Sequence, residues 1–537
     1  MNKKRVIFVL LFLSILYFLV FIYPNNTGAK TVEMISVFEP DEFAQYPHAI
    51  RMLEFKGISL RHKIWHFVAY QHYYYGFPFY ALSVLALLPV KFLSGINNVQ
   101  LNMAVLRQFV SVLPMITTFW LLVNIQTKFE KFWKSIILFI FLLSIPIVIK
   151  NNLWWHPDSL AILFCVLVIF FLSRDQYRFG ANFNFAAIAV GLAIGTKNFG
   201  WFFFLTIFVY LFLGYKNENI QFQKILTKSV VFIILMISVV IISNPALIHP
   251  EERMRYLMIQ KAQSAAMSFG WDVAYQKGPG SWFSIISEYY GHWLTLLLLL
   301  LGIGIGLYKK ETRLTNILIL TWVFPMLIYI LFFVATKPKH LLMPIALPFF
   351  SSLVNFIPPI DEEIDDWKKY LYLIIPSLIL LIQFGRNVIW DFQYINNTFH
   401  REETHPALSF YSKIEPEIFA CLPDGHKMTV FRDVRAYVPE SENLNVEISW
   451  KAVDYTYIKD LNPEIIVLQM QKINDYTSSN LIEDAFDKDQ MRQTQIFYSD
   501  AKNMDLEDYQ FQFGDNYGMI FLRDDISDLL SCPIDQQ

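Results

Sequence analysis

Residues 3–55 read KKRVIFVLLFLSILYFLVFIYPNNTGAKTVEMISVFEPDEFAQYPHAIRMLEF, and three features of that stretch decide the class of the protein. Residues 6–23 form an unbroken apolar run behind the basic start at Lys3, Lys4 and Arg5. A helix needs ~17–25 such residues to cross ~30 Å of hydrocarbon. A cleaved signal peptide begins the same way, but this run ends in Tyr23-Pro24 without a small-residue cleavage site, so it reads as a retained signal-anchor. Basic flanks stay cytoplasmic, which puts the N-terminus inside and the chain beyond Tyr23 outside. The acidic group Glu39-Pro40-Asp41-Glu42 then lies just past the membrane. A solvated loop or the acidic first turn of a helix accounts for it as readily as chemistry does. Tyr46, Ala49, Ile50 and Leu53 recur at helical spacing after it and predict an interfacial helix. Pro47 should kink that helix or open it, with His48 and Arg51 near the carboxylates.

The rest of the chain repeats the apolar theme. Of 537 residues, 55% are hydrophobic and only 17% charged, where about 25% is usual, which excludes a disordered chain, a coiled coil and a disulfide-dense scaffold. The net charge of -2 conceals a division: residues 386–537 hold 13 basic and 27 acidic side chains, the preceding 385 hold 31 and 19. Twelve apolar runs fall in that basic body, at 6–23, 77–95, 105–125, 135–150, 159–173, 183–197, 198–214, 229–246, 291–308, 314–335, 339–357 and 369–385. The basic loops near 128–134, 174–178, 216–228 and 309–313 are all cytoplasmic only if one early run fails to span. Run 77–95, with Pro78, Pro89 and Lys91, is assigned that role as an interfacial or re-entrant helix. The expected fold is thus a mostly α polytopic membrane protein of about 11 transmembrane helices, with a membrane domain at 1–385 and an extracytoplasmic α/β domain at 386–537.

Candidate chemical residues collect on the outer side, in loops 24–104 and 247–290 and at the outer ends of the spans. Trp154-Trp155-His156-Pro157-Asp158 could be two interface anchors and a helix N-cap, or a site for acid–base or metal chemistry with Asp41 and Glu42. Lys197, in GTKN at 195–198, and Lys337, Lys339 and His340, in TKPKH at 336–340, put positive charge outside, against the usual bias. Snorkelling to headgroups explains this, and so does a bound phosphate. The 40-residue loop before residue 291 is long enough for a lid. The cluster HYYYGFPFY at 72–80 suits sugar stacking or an interface belt.

Asp41 and Glu42 within PDE, His156-Pro157-Asp158, and the segment GLAIGTKNFG at 191–200 together resemble the GT-C class of integral-membrane glycosyltransferases, in particular the protein O-mannosyltransferase and aminoarabinose-transferase-like group, family 39. The match covers roughly residues 1–350. It implies a glycosyltransferase at the cell envelope, in a bacterial inner or plasma membrane, that moves a sugar from a polyprenyl-phosphate donor to the hydroxyl of a glycan, lipid or protein acceptor, with inversion and with no nucleic-acid partner. By the resemblance Asp41 is the base, Glu42 and Asp158 orient it or hold a divalent metal ion, and Arg51, His156, Lys197, Lys337, Lys339 and His340 bind substrate and phosphate. Where the group carries an acid and a lysine before the helix at 77–95, this chain has Tyr74-Tyr75-Gly76-Phe77-Pro78, and His72 stands as a substitute metal ligand.

In the acidic tail, residues 428–433, 464–470 and 518–524 read as strands and 479–492 as helical; Cys421 and Cys532 could bridge, and Cys165 lies within a span. A lipid-linked saccharide transporter or flippase is the competing function, but it predicts internal symmetry and mid-span charges, and neither is found in the sequence. A non-catalytic assembly subunit is the third reading. The topology is checked by a reporter fused after Gly385: an extracytoplasmic reporter should be active and a cytoplasmic one silent.

Overall fold

The computed structural model describes residues 3–217, 220–270, 273–335, 343–358, 371–422, 427–451 and 453–527. The chain divides into two compact units: residues 1–26, 47–268 and 276–397 form the first, and residues 27–46, 269–275 and 398–537 the second.

The first unit is helical, and its surface shows what solvent it is built for. Helix Lys3–Val20 buries only Val6, Leu10 and Ser14, one stripe at four-residue spacing, while Phe8, Leu11, Phe12 and Leu19 are exposed. Helix Phe222–Ile242 exposes Ile233, Ile234, Ile237, Ile241 and Ile242 in the same way. Apolar surface so extensive is unstable in water and at ease in hydrocarbon. Five described helices are long and apolar enough to cross a membrane: Val99–Thr127, Asn198–Lys216, Phe222–Ile242, Arg313–Phe333 and Tyr372–Phe399. The bent pairs Phe132–Leu143 with Pro146–Asn152 and Pro279–Tyr289 with Trp293–Tyr308 raise that number to as many as seven. Run 77–95 forms helix Phe77–Leu93, with Phe79, Tyr80, Ser83, Val84, Leu87 and Val90 buried.

At the centre of this unit, helix Asp158–Asp175 packs against helix Ala181–Thr196, which in turn packs against Phe222–Ile242. Small residues make the approach close. A Cβ on Gly191 would sit 2.7 Å from the Met236 carbonyl oxygen, and one on Gly195 would strike Ser243. Segment 70–76 closes over the end of the same helix, where Gly76 N–H donates to the Thr196 carbonyl at 3.0 Å. A Cβ on Gly76 would fall on the Gly195 carbonyl.

The second unit is built on a five-stranded sheet of order β2-β1-β3-β5-β4, from β1 (Met428–Arg432), β2 (Leu444–Ile448), β3 (Ile465–Gln469), β4 (Tyr509–Gly514) and β5 (Gly518–Arg523). Strands β2, β1 and β3 are parallel; β5 runs antiparallel to β3, and the edge strand β4 runs antiparallel to β5. The central strand IIVLQ is buried on both faces: Ile465 and Val467 belong to one core, Ile466 and Leu468 to the other. That is why β1, β3 and β5 were legible as apolar runs, whereas β2 (LNVEI) and β4 (YQFQFG) mix polar residues and escaped. The helix near 479–492 is realised as Leu481–Asp484 and Lys488–Lys502. Cys421 is disulfide-bonded, Cys532 lies outside the described residues, and Cys165 is free and buried.

His405 caps helix Pro406–Glu417 by accepting the Ala407 N–H on Nδ1 at 3.2 Å, a role open only to the neutral ring. Burial, with Arg435 and Arg401 nearby, pulls its pKa down to about 4. The unfolded chain takes up the proton near the ordinary value of about 6.5, so this site's contribution to stability is full above that pH and declines as pH falls through 6.5 toward 4. Denaturant midpoints of the second unit should therefore drop between pH 7 and pH 5, and His405→Gln should flatten that part of the profile.

Candidate active site

The short segment Leu153–Pro157 joins helix Pro146–Asn152 to helix Asp158–Asp175, and neighbouring helices hold it on several sides. Ser111, within the π-helical turn Arg107–Val112, donates to the Trp154 carbonyl at 2.5 Å. Trp155 is fully buried, donates through Nε1 to Ser83 at 3.0 Å and stacks on Phe79. The Trp154 ring lies on the His156 imidazole, centroids 3.8 Å apart and planes 16° from parallel. Both tryptophans thus pack inward instead of lying at an interface.

His156 and Asp158 are 1% and 0% exposed. Asp158 opens its helix, as an N-cap reading anticipates, but its carboxylate goes elsewhere. Oδ1 meets the Lys197 ammonium at 2.5 Å, and Oδ2 lies 3.2 Å from His156 Nδ1. His156 Nε2 continues the chain to the Tyr75 hydroxyl at 2.8 Å. Lys197 stands just past helix Ala181–Thr196 in extended conformation, its ammonium 5.0 Å from the Phe199 ring. Tyr75, His156, Asp158 and Lys197 are consecutive links of one polar chain. An ammonium has three donors, so pairing with Asp158 leaves Lys197 capacity for an anion.

An open cavity of about 420 Å³ lies beside Lys197, lined by Tyr74, Gly76, Thr196, Phe199, Tyr256, Gln260, Met267 and Tyr329 among others. Its surface is mostly apolar, with Thr196, Lys197, Asn198, Gln260, Gln263 and Ser264 among the polar side chains that line it. Helix Pro250–Phe269 supplies one wall and is tied down at both levels. Glu252 accepts a short hydrogen bond from the Tyr73 hydroxyl, and Gln260 donates to the Tyr73 carbonyl at 2.8 Å. Gln260 also accepts from Asn198 at 2.8 Å. Glu252 and Gln260 carried no sequence signal, since each matters through a partner distant along the chain, and Tyr73 stood out only as one of the aromatic cluster at 72–80.

The other candidates have different partners. Arg51 donates to the Ala69 carbonyl at 2.7 Å. His72 is half-buried with Nδ1 2.6 Å from the Tyr80 hydroxyl and its ring 5.1 Å from His48. Burial and the His48 charge push its pKa down to about 3, and burial lowers His48 too, so both rings are neutral at pH 7. Asp41 and Glu42 occupy the first turn of helix Pro40–Glu54 and belong to the second unit; Asp41 is exposed and Glu42 is fully buried. Phe43 beside them lies 6.2 Å from the Trp450 ring. Lys337, Lys339 and His340 lie outside the described residues. Among the described residues no three His, Cys, Asp or Glu side chains converge as a metal site.

No protein-family profile matches the sequence, and no curated protein resembles it significantly. Solved structures do. ArnT, the aminoarabinose transferase from Cupriavidus metallidurans bound to undecaprenyl phosphate, superposes with a TM-score of 0.51 over 96% of this chain and 97% of its own, at 10% identity. The oligosaccharyltransferase of Archaeoglobus fulgidus in its apo form gives 0.51 over 90% of this chain and 72% of its own, also at 10% identity. Both are glycosyltransferases of the GT-C type. The chain has the GT-C fold. At such identity the likeness extends to the fold alone.

The buried pair makes a thermodynamic test. Lys197→Met takes the lysine from the buried Asp158 carboxylate, which should cost about 3–5 kcal/mol of stability in detergent unfolding. Adding Asp158→Asn should recover much of that loss, so the two effects will be strongly non-additive.

Proposed function

We propose that this protein is a membrane glycosyltransferase that transfers a sugar from a polyprenyl-phosphate-linked donor to an extracytoplasmic acceptor hydroxyl, with inversion. The observation that carries the proposal is Lys197, paired with Asp158 at 2.5 Å and lining a mostly apolar cavity. Such a cavity suits a lipid with a phosphate head better than it suits a free sugar nucleotide, whose polar body gains nothing from an apolar lining. Two GT-C neighbours bind polyprenyl phosphates, ArnT undecaprenyl phosphate and the Archaeoglobus fulgidus oligosaccharyltransferase a dolichol-phosphate.

In the reaction the acceptor oxygen attacks the anomeric carbon while its proton passes to Asp41, and the bond from that carbon to the phosphate oxygen breaks. Positive charge grows on the sugar ring and negative charge on the departing phosphate. Fixed cations lower that barrier, and Lys197 with Arg51, Lys337, Lys339 and His340 takes this role. His156 and Tyr75 hold Asp158 in place, so the lysine stays aimed while keeping its charge. Glu42 and Asp158 are the orienting carboxylates. One base and one direct displacement invert the anomeric centre. No step is routed through a metal ion. Eleven spans, a cytoplasmic N-terminus and an extracytoplasmic second unit in a bacterial membrane belong to the same proposal, and the basic loops support that orientation.

Purified protein given polyprenyl-phosphate sugars tests this directly. Asp41→Asn should cut transfer by about 10²–10⁴-fold with donor binding retained, the usual worth of a general base. Lys197→Ala should cut it by about 10²–10³-fold. Full transfer by Asp41→Asn would remove the base assignment, and no transfer from any donor by the wild type would remove the function.

A further inference from the structure

The second unit contains a piece of chain far from the rest of it in sequence: residues 27–46, which carry the acidic pair. Helix Val32–Phe38 and helix Pro40–Glu54 are separated by Glu39 alone, so whatever fixes the first sets the starting point of the second. Three contacts fix it, all within the second unit.

At its beginning, Arg401 donates through Nε to Thr27 Oγ1 at 3.0 Å and through Nη2 to the Thr27 carbonyl. The same guanidinium sits 4.7 Å from the centre of the Phe38 ring. Gly28, at φ +70°, has no room for a side chain there, because a Cβ would meet the Arg401 guanidinium. In the middle, Met34 and Val37 are buried with Ala407 and Tyr437. The third contact is the most unusual. Arg432 ends the central parallel strand β1 and is 1% exposed. Its Nη1 donates to Ser36 Oγ at 3.0 Å and to the carbonyls of Val434 and Ala436 at 2.9 and 2.7 Å. Ser36, itself fully buried, donates its own hydrogen bond to the Glu33 carbonyl at 2.7 Å.

Burying a guanidinium is costly, and an apolar residue would complete a sheet core more cheaply. What Arg432 provides that an apolar residue cannot is directional attachment of helix Val32–Phe38 to the sheet. We propose that Arg432 is a positioning residue for the acidic pair: through Ser36 it anchors helix Val32–Phe38, and with it Asp41 and Glu42, to the C-terminal sheet. The α/β unit is on this reading a working part of the transferase and more than a cap. The inference rests on the assignment of Asp41 as the base.

The full-length protein in detergent or nanodiscs decides it, with hydrogen exchange and steady-state transfer measured side by side. In Arg432→Ala the amides of residues 32–44 should exchange about tenfold faster while those of β3 keep wild-type protection. kcat should fall about tenfold or more with donor KM unchanged, because a base moved by a fraction of an ångström loses rate and leaves donor affinity intact. Nη1 also reaches the Asp433 carbonyl at 3.4 Å, so all four bonds leave from a single nitrogen, and Arg432→Lys, which keeps a multiple donor there, should restore part of both readouts. Should Arg432→Ala fail to fold, Ser36→Ala removes only the link to the segment and should show the same changes at smaller size. Wild-type exchange over residues 32–44 in these variants, or faster exchange with unchanged kcat, would overturn the proposal. Asp41→Asn run in parallel separates the two readings. Full transfer by Asp41→Asn overturns the base assignment and the catalytic half of this inference with it; an inactive Asp41→Asn beside an unaffected Arg432→Ala overturns the positioning alone.

Discussion

A lysine and an aspartate, both withdrawn from water, organise the helical unit. Lys197 and Asp158 meet at 2.5 Å with side-chain exposures of 12% and 0%. Neither is tolerable there without the other, because an isolated charge in a low-dielectric interior costs several kcal/mol. The constraint spreads outward. Asp158 must open its helix where Ala181–Thr196 ends, which requires those two helices to run side by side. On its other side helix Ala181–Thr196 comes close to Phe222–Ile242 through Gly191, and Gly76 docks against Gly195. Trp154, Trp155, Ser83 and Ser111 then pack to hold His156 against the same carboxylate.

The two units solve the problem of charge differently. In the second unit the buried charges are partnered inside a protein core: Arg432 by Ser36 and backbone carbonyls, and Asp433 by Lys472 at 2.9 Å, Tyr498 at 3.1 Å and the Gln469 N–H at 2.8 Å. The first unit exposes isoleucines and phenylalanines that suit hydrocarbon, and buried charges such as Asp158 and Arg107 find partners in Lys197 and the Asn25 carbonyl. The near-zero net charge of the whole chain is the sum of these two regimes.

Much of this was readable in advance, and what failed to be read failed for identifiable reasons. The acidic pair and the motif around His156 stood out because charged residues next to long apolar runs are rare. Lys197 stood out because it breaks a charge bias. Their partners did not. Tyr75 was only one of several tyrosines, Glu252 sat beside the equally plausible Glu251, and Ser36 and Arg432 gave no signal. Each acquires meaning from a residue that only folding brings near. Asp158 shows the difference within one residue: an N-cap and a buried ion-pair partner look alike in sequence, and the side chain chose the second.

What the amino-acid order determined by itself is the solvent of each part of the chain. Hydropathy adds up residue by residue along a local window, so apolar spans, an acidic tail and the strands β1, β3 and β5 need no knowledge of what they touch. What only the tertiary structure decided is which polar groups share a partner. A buried charge must be satisfied by whatever the chain returns to it, here 39 residues later for Asp158 and nearly 400 for Ser36, and that return is set by packing, which no local window contains.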